Sequence, residues 1–242
     1  MHRLMLRSRA YYMLRFFYIV LRYWPAARTG RFGPEAWQES SYRVFKIIED
    51  CGGQFQIDGL SNLQRTDAPV VFVANHMSTL ETLVLYSIIF PRKMPVFVVK
   101  EQLFSVPFFG AYLTYTGCIG VTRRSPSEDF RQVMLRGSER LGQGYSPIIF
   151  PQATRSTVLD PSKFNSLGIK LARRGGVPVI PVAVKTDFWT TGSIMKDFGP
   201  LDRSKTIHFE FGPPLDVPGQ GRHEHEQVMA FIRERLARWQ AE

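Results

Sequence analysis

Cysteine is scarce in this sequence, since only Cys51 and Cys118 occur among 242 residues. Two cysteines cannot build the disulfide framework that stabilises small secreted domains. Neither cysteine lies in a spacing that is typical of metal ligands. We therefore expect a protein of a reducing compartment, without a metal site.

Acidic residues are missing from the first 31 positions, which contain seven arginines. The longest uncharged run there, residues 16–21, is far shorter than the ~20 apolar residues that a membrane-spanning helix needs. No small-residue cleavage site of a signal peptide follows. Aromatic residues are interleaved with the arginines: Tyr11, Tyr12, Phe16, Phe17, Tyr18, Tyr23 and Trp24. This composition predicts a helix that docks on a phospholipid surface, and the alternative is an amphipathic helix packed on its own domain.

The net charge of +10 favours polyanionic partners. Nucleic acid and an anionic membrane leaflet are both polyanions. The basic stretch is short and rich in bulky apolar residues, and no nucleic-acid reading motif accompanies it. We therefore expect a membrane surface as a partner and no nucleic acid.

The chain has no internal repeats, and two helices are predicted ahead of a longer alternating region. Residues 1–24 form the first helix, which ends before Pro25, and residues 35–49 form the second. This amphipathic hairpin is predicted to be a membrane-docking unit of residues 1–50, followed by a main α/β domain of residues 51–242. Strands are predicted at 70–74, 94–99, 118–122, 148–150, 177–184 and 206–211, and helices at 78–89, 108–115, 127–141, 164–174 and 221–239. Such alternation predicts an α/β fold with a mostly parallel central sheet flanked by helices.

Residues 75–81 carry the strongest chemical signal, because they join a predicted buried strand to a predicted helix. His76 precedes the helix, and Glu81 lies about one turn inside it. A carboxylate on one imidazole nitrogen fixes the tautomer and leaves the other nitrogen as a base. That base would take the proton of a substrate hydroxyl as the oxygen attacks a thioester. The alternative is a capping histidine with Glu81 as a partner of the helix dipole.

Two further strands end in polar turns that contain arginine. Arg123 and Arg124 follow the strand at 118–122, and guanidinium groups suit phosphate. The turn at 150–156 contains Thr154, Arg155 and Ser156, whose donors can hold an anion. The alternative for each is a solvated strand end. Residues 177–182 are apolar and form a core or an apolar wall.

These four blocks, in this order, resemble those of the glycerophospholipid acyltransferase family. The family's first block is Asn-His, four residues and Asp, and here it reads Asn75, His76 and Glu81. Its second block corresponds to residues 117–123, and its fourth to residues 177–182. Its third block, Phe-Pro-Glu-Gly-Thr-Arg-Ser, corresponds to residues 150–156, with Gln152 and Ala153 at the third and fourth places. The resemblance extends over residues 55–215.

The resemblance implies an acyl transfer to the free hydroxyl of a lysophospholipid such as 1-acyl-sn-glycerol-3-phosphate. His76 would be the general base and Glu81 its orienting acid. The remaining positions that the family pattern implies for substrate binding are Arg123, Arg155, Thr154, Ser156, Lys100 and Asn75. The acyl donor would be acyl-CoA or acyl-acyl carrier protein, with no other cofactor. A peripheral location on the cytoplasmic face of the bacterial inner membrane is expected.

Three departures from the family pattern leave other interpretations open. Glu81 stands where the family has aspartate, and it can still accept the imidazole N–H. Gln152 removes a charge near the predicted acceptor site, and Ala153 replaces a glycine, which matters if that position needs a positive φ. Another lyso-lipid acceptor, a thioester or ester hydrolase, and a non-catalytic lipid-binding module of the membrane are the alternatives.

Overall fold

A seven-stranded sheet forms the centre of the protein in the computed structural model, which describes residues 9–190, 192 and 199–241. The strands are β1 (Phe55–Asp58), β2 (Val71–Ala74), β3 (Met94–Lys100), β4 (Ile119–Val121), β5 (Tyr145–Ile149), β6 (Val179–Lys185) and β7 (Ile207–Phe211). Their order in the sheet is β1-β7-β6-β2-β5-β3-β4. Neighbouring strands among these are parallel, except that β6 and β7 are antiparallel. The predicted fold class is thereby confirmed.

Seven α-helices occur in the described residues. They are α1 (Arg9–Arg28), α2 (Pro34–Asp50), α3 (Leu80–Ile89), α4 (Phe109–Tyr115), α5 (Pro126–Gly142), α6 (Leu167–Gly175) and α7 (Arg222–Gln240). Short 3₁₀ helices occupy Leu60–Gln64, Glu101–Ser105 and Pro161–Lys163. The predicted helices and strands are thus present within a few residues, but the sequence analysis missed β1. This strand has four residues at the sheet edge and is only partly buried, so its hydrophobic signal is weak.

The sheet separates two buried clusters of side chains. Successive residues of a strand point to opposite faces, and β2 follows this rule. Phe72 belongs to the cluster that contains α1, α2 and α3, whereas Val73 belongs to the cluster that contains α5, α6 and α7. Most of β2 and β6 is buried, because helices cover both faces of the sheet.

Helix α1 does not end before Pro25, as the sequence analysis predicted, but continues to Arg28. Proline at this position cannot donate to the carbonyl of the residue four positions earlier, so the helix continues past it with one backbone hydrogen bond missing. Thr29 N donates to Pro25 O at 3.2 Å, and Arg31 N donates to Ala26 O at 2.8 Å. Ala27 is fully buried, so packing holds the last turn in place. Residues 1–8 of the predicted helix lie outside the described residues.

The two N-terminal helices share a buried cluster with one face of the sheet. Tyr12 of α1 makes an edge-to-face contact with Trp189, at 4.7 Å between ring centroids. Ser41 of α2 donates to Leu83 O of α3 at 2.6 Å. The hairpin is therefore attached to the sheet by close packing, and the division of the chain at residue 50 stays a prediction.

Candidate active site

The predicted site residues lie at the carboxyl ends of parallel strands. His76 follows β2, Arg123 follows β4 and Arg155 follows β5. Lys100 ends β3 and is in register with Val121 of β4. In open α/β sheets ligands bind in the crevice outside these strand ends. The fold therefore brings the four cationic or basic side chains to one edge of the sheet.

Glu81 is fully buried in the first turn of α3 and accepts hydrogen bonds from several groups. Its Oε1 accepts from Met77 N at 2.6 Å and from Ser78 N at 2.9 Å. Its Oε2 accepts from the Ser78 hydroxyl at 3.0 Å and from the Thr186 hydroxyl at 2.6 Å. The carboxylate thereby holds the backbone of residues 77–78 outside the helix, and α3 begins at Leu80, two residues later than predicted.

Glu81 remains ionised despite its burial. Burial raises the pKa of this carboxyl, but the hydrogen bond from His76, the positive charge that His76 carries when it is protonated, and the Thr186 hydroxyl hold the pKa below its ordinary value. The first turn of α3 also favours a negative charge, because free backbone N–H groups point toward it. A buried carboxylate that is satisfied in this way is a fixed negative charge beside the imidazole.

His76 lies directly on this carboxylate. Its Nδ1 is 2.8 Å from Glu81 Oε1, and its side chain is 13% exposed. The ring stacks on Phe150 with 4.5 Å between centroids. Since the carboxylate can only accept, we assign the proton of the neutral ring to Nδ1, which leaves Nε2 as the acceptor. The arrangement fits the general base that the sequence predicted.

The turn after β5 holds the backbone of His76 from both sides. Gln152 Oε1 accepts from His76 N at 3.2 Å, and Ser156 N donates to His76 O at 2.9 Å. Gln152 Nε2 also donates to Val158 O at 3.4 Å. Because Gln152 is only 6% exposed, it is placed to position the His76 loop and not to present a side chain at the protein surface.

Asn75 and Ser156 use their side chains within the loop framework. Asn75 Oδ1 accepts from Val184 N at 2.8 Å, and its Nδ2 donates to Val184 O at 2.8 Å, which joins the end of β2 to β6. The Ser156 hydroxyl donates to Val158 O at 2.8 Å and accepts from Val158 N at 3.1 Å. Thr154 is exposed in the same turn. Of these three predicted binding residues, Thr154 is the most exposed and Asn75 is buried.

Ala153, between Gln152 and Thr154, has a φ of 57°. A left-handed conformation costs a residue with a Cβ atom about 1 kcal/mol. Glycine, which the family has at this position, would adopt it without that cost. The sequence analysis posed this question, and the backbone shows that the position does need a positive φ.

Arg123 also has a left-handed backbone, with a φ of 59°. Asp129, in the first turns of α5, stabilises it, because its Oδ1 accepts from Thr122 N at 2.7 Å and its Oδ2 accepts from Arg123 N at 2.7 Å. The sequence analysis did not identify Asp129. The sequence shows Asp129 only as an acidic residue six positions after Arg123. That spacing alone does not predict that its carboxylate accepts from the backbone N–H groups at the end of the preceding strand.

The two predicted phosphate-binding arginines influence one another. Partial desolvation lowers the pKa of Arg123, and the neighbouring charge of Arg155 lowers it further, although Asp129 opposes both effects. Arg155 donates to the Thr79 hydroxyl just before α3, so its side chain extends toward the His76 loop. Two cations that repel each other at a strand edge form an environment that an anion stabilises.

Within the described ranges, no group of three or more histidine, cysteine, aspartate or glutamate side chains is arranged to hold a metal ion.

The Thr186 hydroxyl, which the sequence analysis missed, belongs to the site through its bond to Glu81. It follows the last residue of β6, at the same sheet edge as His76. A threonine after an apolar strand gives no distinctive sequence signal.

Comparison with known proteins agrees with this geometry. A family model described as Acyltransferase matches residues 54–185, which is more than half of the chain. The matched region contains the His76–Glu81 pair, Arg123 and Arg155. A 1-acyl-sn-glycerol-3-phosphate acyltransferase of Pseudomonas aeruginosa is 29% identical over 213 residues, covering 88% of this chain and 76% of that protein.

Two other relatives carry the same name. The Escherichia coli protein is 27% identical over 163 residues, covering 67% of this chain and 63% of its own length. A chloroplastic protein of Arabidopsis thaliana is 30% identical over 156 residues, covering 64% of this chain and 39% of its own length.

A solved structure has the same fold. It is the 1-acyl-sn-glycerophosphate acyltransferase of Thermotoga maritima, with a TM-score of 0.68 and 21% sequence identity, and the match covers 97% of each chain. At this identity the similarity supports the fold. The family model, which matches the region of the buried His–Glu pair and both arginines, shows that the chain belongs to the acyltransferase family.

Proposed function

We propose that this acyltransferase moves a fatty acyl group from a thioester to the free hydroxyl of 1-acyl-sn-glycerol-3-phosphate, which gives phosphatidic acid. The observation that carries the proposal is the 2.8 Å contact between His76 Nδ1 and Glu81 Oε1. It lies at the carboxyl ends of the strands, where Arg123 and Arg155 also lie. The names of the Pseudomonas and Escherichia relatives support the same acceptor.

The chemistry needs one base and no protein nucleophile. Nε2 of His76 takes the proton from the acceptor hydroxyl while the oxygen attacks the thioester carbonyl. The C–O bond forms, the C–S bond breaks, and the departing thiolate receives the proton from the imidazolium. Glu81 stays ionised throughout and stabilises the imidazolium that exists between the two transfers.

Arg123 and Arg155 would bind the phosphate of the acceptor. Guanidinium groups form paired, charge-assisted hydrogen bonds with phosphate oxygens. Asp129 holds the backbone of Arg123, and the Arg155 guanidinium donates to the Thr79 hydroxyl, which supports a phosphate-binding role for both strand ends. Lys100, at the neighbouring strand end, is a third cation for the same anion.

A panel of acceptors tests the proposal. Purified enzyme is given one acyl thioester with lysophosphatidic acid, lysophosphatidylcholine or monoacylglycerol, and product lipids are quantified. We expect kcat/KM for lysophosphatidic acid to exceed that for monoacylglycerol by about 100-fold or more, because two charge-assisted contacts are lost without a phosphate. Free fatty acid formed equally fast with and without acceptor would instead identify a hydrolase.

The exposed side of α1 supports a membrane-docking role for this helix. Among the described residues, no helix is long and apolar enough to cross a membrane. Tyr12 and Phe16 on one side of α1 are buried in the protein, but another side is apolar and exposed. That exposed side, at helical spacings of three and four, consists of Leu14, Phe17, Tyr18 and Leu21. Such a face, flanked by arginines, suits the interfacial region of a bilayer. We include peripheral binding to the cytoplasmic face of a bacterial membrane in the proposal.

A single substitution on that face tests membrane docking. Leu14 is 73% exposed, so Leu14→Glu changes the docking face without disturbing the core. We expect its partition into anionic phospholipid vesicles to fall by about tenfold or more, since burial of one leucine contributes about 1.5–3 kcal/mol. Sedimentation of vesicles with bound protein measures the change.

The matched control is Leu135→Glu on α5, where the leucine is 48% exposed. An equal loss of vesicle binding in both variants would contradict docking through α1. Deletion of residues 1–31 is a poorer test, because it also removes Tyr12, Phe16 and other members of the buried cluster.

A further inference from the structure

A groove with basic walls lies between α5 and α6. Its volume is about 460 Å³, and it is lined by Phe130 and Met134 of α5 and by Lys170, Arg173 and Arg174 of α6. We call this set of five residues the basic groove. It lies on the face of the sheet that α5, α6 and α7 cover, opposite the face against which α1 packs.

The cations of the basic groove are not neutralised within the described part of the chain. Lys170, Arg173 and Arg174 form no ion pair with a described residue, whereas Arg136 on the same helix as Phe130 pairs with Glu139 at 3.0 Å. Among the described residues, the side chain of Arg173 donates to the neutral Gln220, at 3.2 Å. The groove therefore presents a local positive field that an acidic partner would complement.

The basic groove also contains apolar side chains beside its three cations. Phe130 is 41% exposed, and Lys170 Nζ lies 5.5 Å from the centroid of its ring. Met134 forms part of the lining and belongs to the same buried cluster as Met77, which follows His76 in the chain. The groove thus offers both an apolar contact and charges, and its wall is continuous with the core behind the active-site loop.

Both helices of the groove begin at the sheet edge that carries the site. Helix α5 starts shortly after Arg123, and α6 starts shortly after the turn that contains Arg155. Phe130 is the fifth residue of α5 and Lys170 the fourth of α6, so they lie about 6 Å and about 4.5 Å along their helices, at a rise of about 1.5 Å per residue. A partner in the groove would therefore lie beside the active-site edge without covering the exposed side of α1.

We propose that the basic groove docks the small acidic carrier protein that delivers the acyl thioester. The proposal rests on the function proposed above and names the source of its donor. The cations at positions i, i+3 and i+4 of α6 line one side of the groove, which matches acidic side chains along one face of a partner helix. Phe130 and Met134 receive an apolar side chain of that helix. Each phosphate group of coenzyme A requires donors that converge on one point, whereas the charges here are spread along a helix.

The test compares two donors with the same acyl chain, one on acyl carrier protein and one on coenzyme A. The variant Lys170→Glu/Arg174→Glu reverses two charges of the groove. The control Arg222→Glu/Arg233→Glu makes the same change in net charge at exposed positions of α7. We expect the groove variant to raise KM for the carrier-protein donor by about tenfold or more, with kcat unchanged, and to change neither constant for the coenzyme A donor more than twofold.

Binding of the unacylated carrier protein, measured by titration calorimetry, is the second readout and does not depend on turnover. Binding that is lost in the groove variant and kept in the control, with equal melting temperatures, supports docking even if no lysolipid is acylated, in which case only the proposed function fails. Equal effects on both donors, carrier binding unchanged by the reversal, no carrier binding by the wild type, or loss of binding to anionic vesicles in place of carrier binding would each overturn the proposal.

Discussion

Replacing His76 by alanine is expected to lower kcat/KM for acyl transfer by about 10³-fold, within the range that general base catalysis contributes. The physical reason is the single acceptor nitrogen that remains once Nδ1 is bound to Glu81. Among the described residues, His76 is the only histidine that contacts the Glu81 carboxylate. Initial rates with lysophosphatidic acid and an acyl thioester measure the effect.

The fold is expected to survive this change. The imidazole is partly exposed, and the backbone of residue 76 is held by Gln152 and Ser156, which alanine leaves in place. His223→Ala, at an exposed position of α7, is the matched control and should keep wild-type kinetics. If the His76 variant has wild-type transfer with an unchanged melting temperature, the assignment of the general base is wrong.

Replacing Glu81 by glutamine is expected to affect both activity and stability. The amide keeps one acceptor oxygen but turns an N–H₂ group toward the donors of Ser78 and Thr186. Leaving such buried groups unpaired costs on the order of 3 kcal/mol in the free energy of unfolding. The imidazole also loses the charge that fixes its tautomer, so kcat should fall by about 10²–10⁴-fold.

Glu81→Asp separates the charge from the side-chain length. Aspartate keeps the negative charge and its acceptor oxygens but is one methylene shorter, and the family pattern has aspartate here. We expect this variant to retain activity within about tenfold of wild type, far above the glutamine variant. Equal activity of the glutamine variant and the wild type would refute the orienting role. Similar losses in both variants would indicate that packing, and not charge, is what the site needs.

The stability of the wild type should depend on pH through Glu81. Because hydrogen bonding holds the folded-state pKa of Glu81 below its ordinary value, the carboxylate stabilises the fold at pH values above that ordinary value. This contribution is lost as the pH falls through the folded-state pKa. The glutamine variant has no titrating group at position 81, so its free energy of unfolding should change less than that of the wild type between pH 7 and the acidic range. Urea denaturation at a series of pH values measures the difference.

Much of the fold was predictable because its signals are local. The apolar runs that became β2 and β6 are continuous, and glycine and proline separate the helices and strands. Helix ends were less predictable. Pro25 was expected to end α1, but tertiary packing of Ala27 extends the helix past it. The edge strand β1 was missed, because its pairing with β7 joins segments about 150 residues apart.

The candidate site divides in the same way. The pairing of His76 with Glu81 spans five positions, so the sequence spacing alone brings the two groups together once a helix begins there. The Glu81–Thr186 bond spans 105 positions and the Asn75–Val184 bonds span 109, and only the order of strands in the sheet brings those residues into contact. Gln152 was noted for the loss of a charge near the predicted acceptor site, and the fold places its amide against the backbone of His76.

The sequence by itself determined the candidate site residues: an imidazole, a carboxylate five positions later, and arginines after two later strands, in an order that resembles the acyltransferase family. Tertiary structure alone decided which distant residues hold the His76–Glu81 pair in place, including Thr186 and Gln152. It also decided that three cations of α6 lie beside two apolar side chains of α5. The reason is physical, since local spacing fixes contacts within a turn of helix, whereas contacts between distant segments depend on how the sheet and its helices pack.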